Sequence, residues 1–291
     1  MPPARNPSVI YASVSAYGRS GPHAGRMGFD PIVQAESGFM SMNGYPDQPP
    51  VRAGPSMMDI STAMMTCNAI LAAVVARERT GIGQSLEVAL YDNAFLLTGY
   101  TALQDMYTGV EQQRPANTSP DTCPSGVFYA SDSAFLINCG NTGIFQRLMT
   151  QVVELPDLAA DPRYSTNKDR VARRPELFAL LQEVFGRQPW AHWQTRMRAA
   201  SVPCGELRSP SAAIRAPEAQ ERGIITRIPH PTLGWVPHMR SPIRYATTPV
   251  ADPTPAPRVG EHTRAVVGDW LGYDAVRVEK LAESGAFGAQ K

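Results

Sequence analysis

The segment from Ile60 to Arg79 limits the possible folds of this chain more than any other. Met64, Cys67, Ile70, Leu71, Val74 and Val75 recur at steps of three and four residues, Arg77 and Arg79 occupy the last turn, and Gly81 follows as a stop. That spacing predicts one long helix whose apolar side must be largely buried. Directly after it, Ser85 to Leu90 alternates as a strand does, and Tyr91 to Met106 resumes a mostly apolar helix. Upstream, Ser8 to Val14 is a β-branched run closed by Tyr17-Gly18, which reads as a buried strand and a turn. Strand, loop, helix, strand and helix in that order predict α/β architecture.

Between the first strand and the long helix, Gly18 to Pro55 is rich in Gly, Pro, Ser and Met, with one short helix predicted inside Asp30 to Met42. Long ordered loops tend to carry function. Beyond the linker-like Gln112 to Pro124, strands are predicted at Gly126 to Ala130 and Ala134 to Asn138, around the turn Ser131-Asp132-Ser133. Helices are predicted over 145–153, 175–185 and 189–200, and short strands over 223–228 and 243–246. The expected division is a large α/β domain over residues 1–111, a smaller α+β domain over 112–246, and a Pro-rich linker with a helical tail over 247–291. The tail is expected to pack back onto the large domain.

Composition narrows the partners. The chain has 291 residues, 27 Lys+Arg against 26 Asp+Glu, and a formal net charge of +1. So even a balance gives no electrostatic footprint for nucleic acid or anionic lipid, whose phosphates are neutralised by many cations at once. The apolar stretch Ile70 to Val75 falls far short of the roughly 20 residues that span a bilayer, so no membrane association is expected. Cys67, Cys123, Cys139 and Cys204 are scattered, with no CxxC pair and no His at ligand spacing. That predicts reduced thiols, no bound metal and a cytoplasmic setting. Residues 1–7 contain no apolar run of the kind a secretory leader carries.

Generic motif searches are nearly empty: there is no Walker loop, GxGxxG, GxSxG or HExxH. One carboxylate stands in a telling place. Asp59 follows Ala53-Gly54-Pro55-Ser56-Met57-Met58 and opens the long helix, where the N-cap belongs. As a plain cap it would satisfy orphan backbone N–H groups and stabilise the helix by about 1 kcal/mol. As a nucleophile it would be held ionised by the helix N-terminus, and the same N–H groups would be available to an oxyanion. Residue types and spacing leave both readings open.

The order of short motifs resembles the family III CoA-transferases of the CaiB/BaiF type. The matching stretches begin with Asn6-Pro7, Val9-Ile10-Tyr11-Ala12-Ser13-Val14, Tyr17-Gly18-Arg19-Ser20-Gly21-Pro22, Gly28-Phe29-Asp30, Gln34-Ala35-Glu36-Ser37-Gly38 and Asn43-Gly44. They continue through Asp59 and its helix, Arg77-Glu78-Arg79-Thr80-Gly81-Ile82-Gly83-Gln84, Ser125-Gly126-Val127-Phe128 and Asp161-Pro162-Arg163-Tyr164. Val202-Pro203-Cys204-Gly205, Ser241-Pro242-Ile243-Arg244 and Gly260-Glu261-His262-Thr263 complete the series.

The resemblance implies a CoA-transferase that moves CoA from an acyl-CoA thioester to a carboxylic acid. Asp59 matches the family's nucleophile, which forms first an aspartyl-acyl anhydride and then an aspartyl-CoA thioester. Met27, Gly28, Phe29 and Asp30 match positions lining the CoA pocket. CoA is then a substrate, and no permanently bound cofactor is implied. The related 2-methylacyl-CoA racemases carry a histidine where this chain has Phe29, and phenylalanine cannot move a proton, so racemisation is disfavoured. Formyl-CoA transferases carry a run of glycines where Asn117 to Ser125 has none, which disfavours oxalate as acceptor. Family members also carry an N-terminal α/β segment ahead of the Asn-Pro match. The expectation is therefore an incomplete Rossmann-like large domain in an interlocked homodimer, or in a heteromer whose second chain supplies that segment. The alternative is a truncated, non-catalytic or partner-dependent subunit.

Overall fold

The computed structural model describes residues 6–251 and 253–288. Met1–Arg5, part of the leader reading, and Asp252, inside the expected linker, lie outside the described residues, as do the last three of the tail. The chain forms two compact units, which divide between Leu207 and Arg208.

The first unit begins with strand β1 (Tyr11–Ser15), helix α1 (Asp30–Glu36) and a 3-10 turn at Met40–Met42. Helix α2 (Met57–Thr80), strand β2 (Ser85–Ala89) and helices α3 (Leu90–Thr98) and α4 (Tyr100–Thr108) follow. β1 and β2 pair in parallel, Tyr11 opposite Ser85 through Ser15 opposite Ala89, so α1 and α2 lie on the crossover that parallel strands require. The α/β expectation is met here, and the single helix expected over 91–106 is two. Gly99 adopts φ +56 between them, a conformation that a side chain disfavours and a helix cannot continue through.

Helix α2 closes as expected, with Gly81 at φ +73 donating its N–H to the Arg77 carbonyl at 2.7 Å. Its burial is not as expected. Only Met58, Thr62 and Ala73 are buried, while Met64, Leu71 and Val75 are each more than half exposed. By length and composition α2 is also long enough and apolar enough to cross a membrane, which a count of uninterrupted apolar residues overlooks. The same length and composition suit a helix covered by protein on every side.

The rest of the first unit is built around an antiparallel sheet of β3 (Ser125–Tyr129), β4 (Ala134–Asn138) and β5 (Cys204–Glu206), in that order. Helices α5 (Thr142–Arg147), α6 (Pro156–Ala160), α7 (Asn167–Ala172), α8 (Arg174–Phe185) and α9 (Trp190–Ala199) surround it, with a π-helical turn at Leu148–Val152. Here lies the main core: Phe128, Phe135, Phe145, Leu177, Phe185 and Trp193 are buried together. Trp190 stacks on Phe135 at 4.9 Å, so the Trp-rich start of α9 belongs to the core.

The second unit holds α10 (Pro210–Ala213), α11 (Pro217–Glu221), the hairpin β6 (Ile225–His230) and β7 (Gly234–Met239), and helices α12 (Thr263–Leu271) and α13 (Ala275–Glu283). The strand expected at Ile243–Ala246 is not formed. Its place is taken by β7, which pairs antiparallel with β6 after a tight turn at Gly234, φ +73. A β-rich composition at Ile243–Ala246 cannot make a strand without a ladder partner, and among the described residues it has none.

Candidate active site

The start of α2 is set by its surroundings. Met58 is fully buried against Val33 of α1 and Leu90 and Ala94 of α3, in a small apolar cluster flanked by Tyr17, Phe39 and Tyr91. Successive helical residues are rotated by about 100°, so an inward Met58 turns Asp59 outward. Asp59 is exposed, and its carboxylate has no hydrogen bond or ion pair among the described residues.

Asp59 is not the N-cap. That position belongs to Ser56, and Asp59 is the third helical residue. The orphan N–H groups of the first turn are satisfied from elsewhere. Met57 N donates to the Pro55 carbonyl at 2.8 Å, and Ile60 N to the Ser56 carbonyl at 3.0 Å. Met58 N donates to Asp30 Oδ2 at 2.6 Å and Asp59 N to the same oxygen at 3.4 Å. Asp30 thus does from α1 what a capping carboxylate does from within a helix. The N–H groups expected to be open to an oxyanion are already committed.

Asp30 is buried, and its second oxygen is also engaged. Gln34 Nε2 donates to Asp30 Oδ1 at 2.6 Å, and Gln34 Oε1 accepts from Ala53 N at 3.0 Å. Gln34 is fully buried. Sequence reasoning carried Gln34 only as part of a matching stretch and gave it no role at the site. Its signal is the spacing: Asp30 and Gln34 are four apart on a short helix beside apolar Val33, which places two polar groups on an inward face.

The other singled-out residues divide. Phe29 and Met27 are exposed, so Phe29 is not a core aromatic within this chain. Gly28 packs tightly, since a Cβ there would lie 2.7 Å from Ala16 Cβ and 2.8 Å from the Tyr17 ring. The structure brings Asp30 and Asp59 together, and chain continuity places Phe29 at the N-cap of α1.

Nearby, Tyr17 donates to Glu36 Oε2 at 2.8 Å, Arg26 pairs with Glu36 at 2.6 Å, and the Arg26 guanidinium lies 4.4 Å from the Tyr17 ring centre. The Arg26 and Tyr17 hydrogen bonds hold the Glu36 carboxyl below the usual carboxylate range. A second wall of the site is polar: Asn93 of α3, buried, donates to Ser61 at 2.6 Å and Thr62 at 3.2 Å. The first two turns of α2 are therefore held from both α1 and α3.

Among the described residues no cluster of His, Cys, Asp or Glu could hold a metal ion. The second unit has a cavity of about 560 Å³ whose lining includes Arg222, His238, Arg240 and Arg244. Its lining combines these basic groups with the Ser241 and Tyr245 hydroxyls and, among the described residues, includes no carboxylate or thiol.

The sequence profile described as CoA-transferase family III matches residues 3–263. The acetyl-CoA:oxalate CoA-transferase of Acetobacter aceti is 37% identical over 223 residues, covering 76% of this chain and 57% of that protein. The succinyl-CoA:glutarate CoA-transferase of Mus musculus is 30% identical over 279 residues, covering 96% and 64%. The chain thus spans less than two thirds of the length of these two relatives. A solved CaiB/BaiF family protein from Brucella suis superposes with a TM-score of 0.78 at 32% identity, over 91% of this chain and 69% of that one. The parallel β1–β2 pair, the motif order and these likenesses agree: the chain belongs to CoA-transferase family III.

Proposed function

We propose that this chain carries the acyl-transfer chemistry of a CoA-transferase and that Asp59 is its nucleophile. The observation behind the reading is the division of labour at the start of α2, where Asp30 satisfies the helix N-terminus and leaves the Asp59 carboxylate exposed and unengaged. An Asp59 oxygen attacks the thioester carbonyl, the C–S bond breaks, and CoA leaves as thiolate. The thiolate then attacks the Asp59 carbonyl of the anhydride, releasing the donor acid and forming an aspartyl-CoA thioester. The acceptor carboxylate repeats the first step on that thioester, and the returning thiolate takes the acceptor acyl group and frees Asp59. No redox change occurs at any stage.

Exposed Met27 and Phe29 offer apolar surface to the acyl-CoA, with Gly28 and Asp30 shaping the same segment from behind. Phe29 gives no proton-transferring group, which supports transfer over racemisation. The acceptor is a small dicarboxylic acid, by analogy with relatives named for oxalate and glutarate. Oxalate, disfavoured by the missing glycine run, returns to the test panel because the 37% identical relative is named for it. The working form proposed is a cytoplasmic homodimer, organised as large domain 1–111, small domain 112–246 and tail 247–291.

Incubation with acetyl- or succinyl-CoA followed by hydroxylamine should leave a hydroxamate at Asp59, detected by mass spectrometry. Asp59→Ala should remove it and lower transfer by at least about 10⁴-fold. Unmodified Asp59 after a broad acyl-CoA panel would count against the reading. The partner-dependent alternative is favoured by one observation, the exposed apolar side of α2. CoA titration by calorimetry separates the two, since micromolar binding by the chain alone argues for the first.

A further inference from the structure

Asp30 and Gln34 form a relay that starts and ends on backbone donors. Ala53 N–H donates to Gln34 Oε1, Gln34 Nε2 donates to Asp30 Oδ1, and Asp30 Oδ2 accepts from Met58 N and, more weakly, Asp59 N. A primary amide passes such a chain on, because it accepts at one atom and donates at the other. A chain with a donor at each end can close only on a group that accepts on both sides. Only a carboxylate in the relay does this. Both relay residues are buried, at 4% exposure for Asp30 and 0% for Gln34, so water cannot mend a mismatch cheaply.

The two ends of the relay both lie just ahead of the candidate nucleophile in the chain. Ala53 belongs to the Gly54-Pro55 approach, and Met58 immediately precedes Asp59. Resting on the nucleophile reading above, we propose that the Asp30–Gln34 relay is the positioning device of the site, fixing the approach loop and the first turn of α2 so that the Asp59 carboxylate is held out in attacking geometry. Asp30 and Gln34 act through Asp59 and touch no substrate in this role. Displacing a reacting group by about 1 Å costs on the order of a hundredfold in rate, so a relay this close to the reacting atom is felt in the acylation step.

The closing rule dictates the test. Asp30→Asn sets two donors against each other at one link wherever its amide is turned. Gln34→Glu, assayed at a pH where the pair holds no shared proton, sets two carboxylates against each other at the link between the two side chains. In the double variant Asp30→Asn/Gln34→Glu every link is again a donor facing an acceptor, with the carboxylate moved to position 34. The amide introduced at position 30 accepts from Met58 N and donates to that carboxylate, which also accepts from Ala53 N. Each single variant should slow acylation of Asp59 by about a hundredfold while the KM for acyl-CoA stays within about threefold, and the double variant should recover most of the rate. Amide hydrogen exchange over Met57–Ile60 of the full chain should accelerate in each single variant and return in the double.

Single variants that acylate at the wild-type rate overturn the proposal, and so does a double variant that fails to recover rate and exchange protection. If a single variant does not fold, recovery of folding and rate in the double remains the deciding result. A wild-type chain that gives no hydroxamate at Asp59 refutes the nucleophile reading instead. The catalytic meaning of the relay falls with it, and the exchange pattern still decides whether the relay holds the helix start.

Discussion

At the scale of single residues, the two buried groups most exposed to error by substitution are a cation and a thiol. Arg170 is completely buried without a carboxylate partner among the described residues. Its Nε donates to the Cys123 carbonyl at 2.8 Å, one terminal nitrogen to the Tyr164 carbonyl at 2.9 Å, and the guanidinium lies 4.5 Å from the Phe145 ring centre. The charge is tolerated because the planar fork serves two strands of loop at once. Arg170→Ala should cost about 3–5 kcal/mol in urea unfolding, combining a cavity with unsatisfied carbonyls, and Arg170→Lys should recover little because an ammonium cannot reproduce the fork. Cys139 behaves oppositely: burial pushes its thiol up to about 12. The folded state therefore binds that proton more tightly than an unfolded thiol of about 8.5. The associated stability is complete below that lower value and is lost as pH rises toward 12. The thermal midpoint should fall more steeply between about pH 8 and 10.5 in the wild type than in Cys139→Ala. Buried Cys123 and Cys139 should resist alkylation in the native protein while exposed Cys67 reacts.

At the scale of elements, close backbone approaches decide more than propensities. Gly83 donates its N–H to the Pro7 carbonyl at 2.9 Å, and a Cβ on it would fall inside contact distance of the Val9 carbonyl oxygen, which is backbone and cannot swing away. Gly83→Ala should destabilise by about 3 kcal/mol in a chemical unfolding curve, whereas Gly205→Ala in β5, where nothing lies within 4 Å, should stay within about 0.5 kcal/mol. Such contacts explain what was legible. The apolar period of α2, the alternation of β2 and the turn between β3 and β4 are local signals, and the elements appear where those signals put them. The break at Gly99 rests on a backbone conformation that an apolar run does not announce, and the choice of β7 over Ile243–Ala246 on which segment finds a ladder partner, so composition alone misplaces both. At the candidate site, the position of Asp59 at the start of an apolar helix was legible. The capping role assigned to it was not, because Asp30 performs it from 29 positions away. A hydrogen bond of that separation leaves no trace in a window of sequence.

At the scale of the whole molecule, the first unit leaves apolar surface and sheet edges that call for covering. Parallel sheets are normally covered on both faces, and two strands alone are marginal, yet β1 and β2 form a two-stranded sheet among the described residues. Met64, Leu71 and Val75 on α2 stand out from the same half of the unit. In the proposed homodimer a second copy buries this side of the helix. Burying one Leu or Val side chain is worth about 1.5–3 kcal/mol, and each 1.4 kcal/mol is tenfold in an equilibrium constant. Leu71→Glu/Val75→Glu should therefore raise the dimer dissociation constant by at least about a hundredfold, read as a shift from twice the chain mass to the chain mass in sedimentation velocity. The magnitude separates this from a mere surface effect, because charges placed on a helix face that stays in water change association by far less. A wild-type chain that sediments as a monomer at high micromolar concentration, with α2 amides protected from exchange, overturns the dimer. A dimer that survives both charges moves the interface to another face and leaves the apolar side of α2 to other polypeptide.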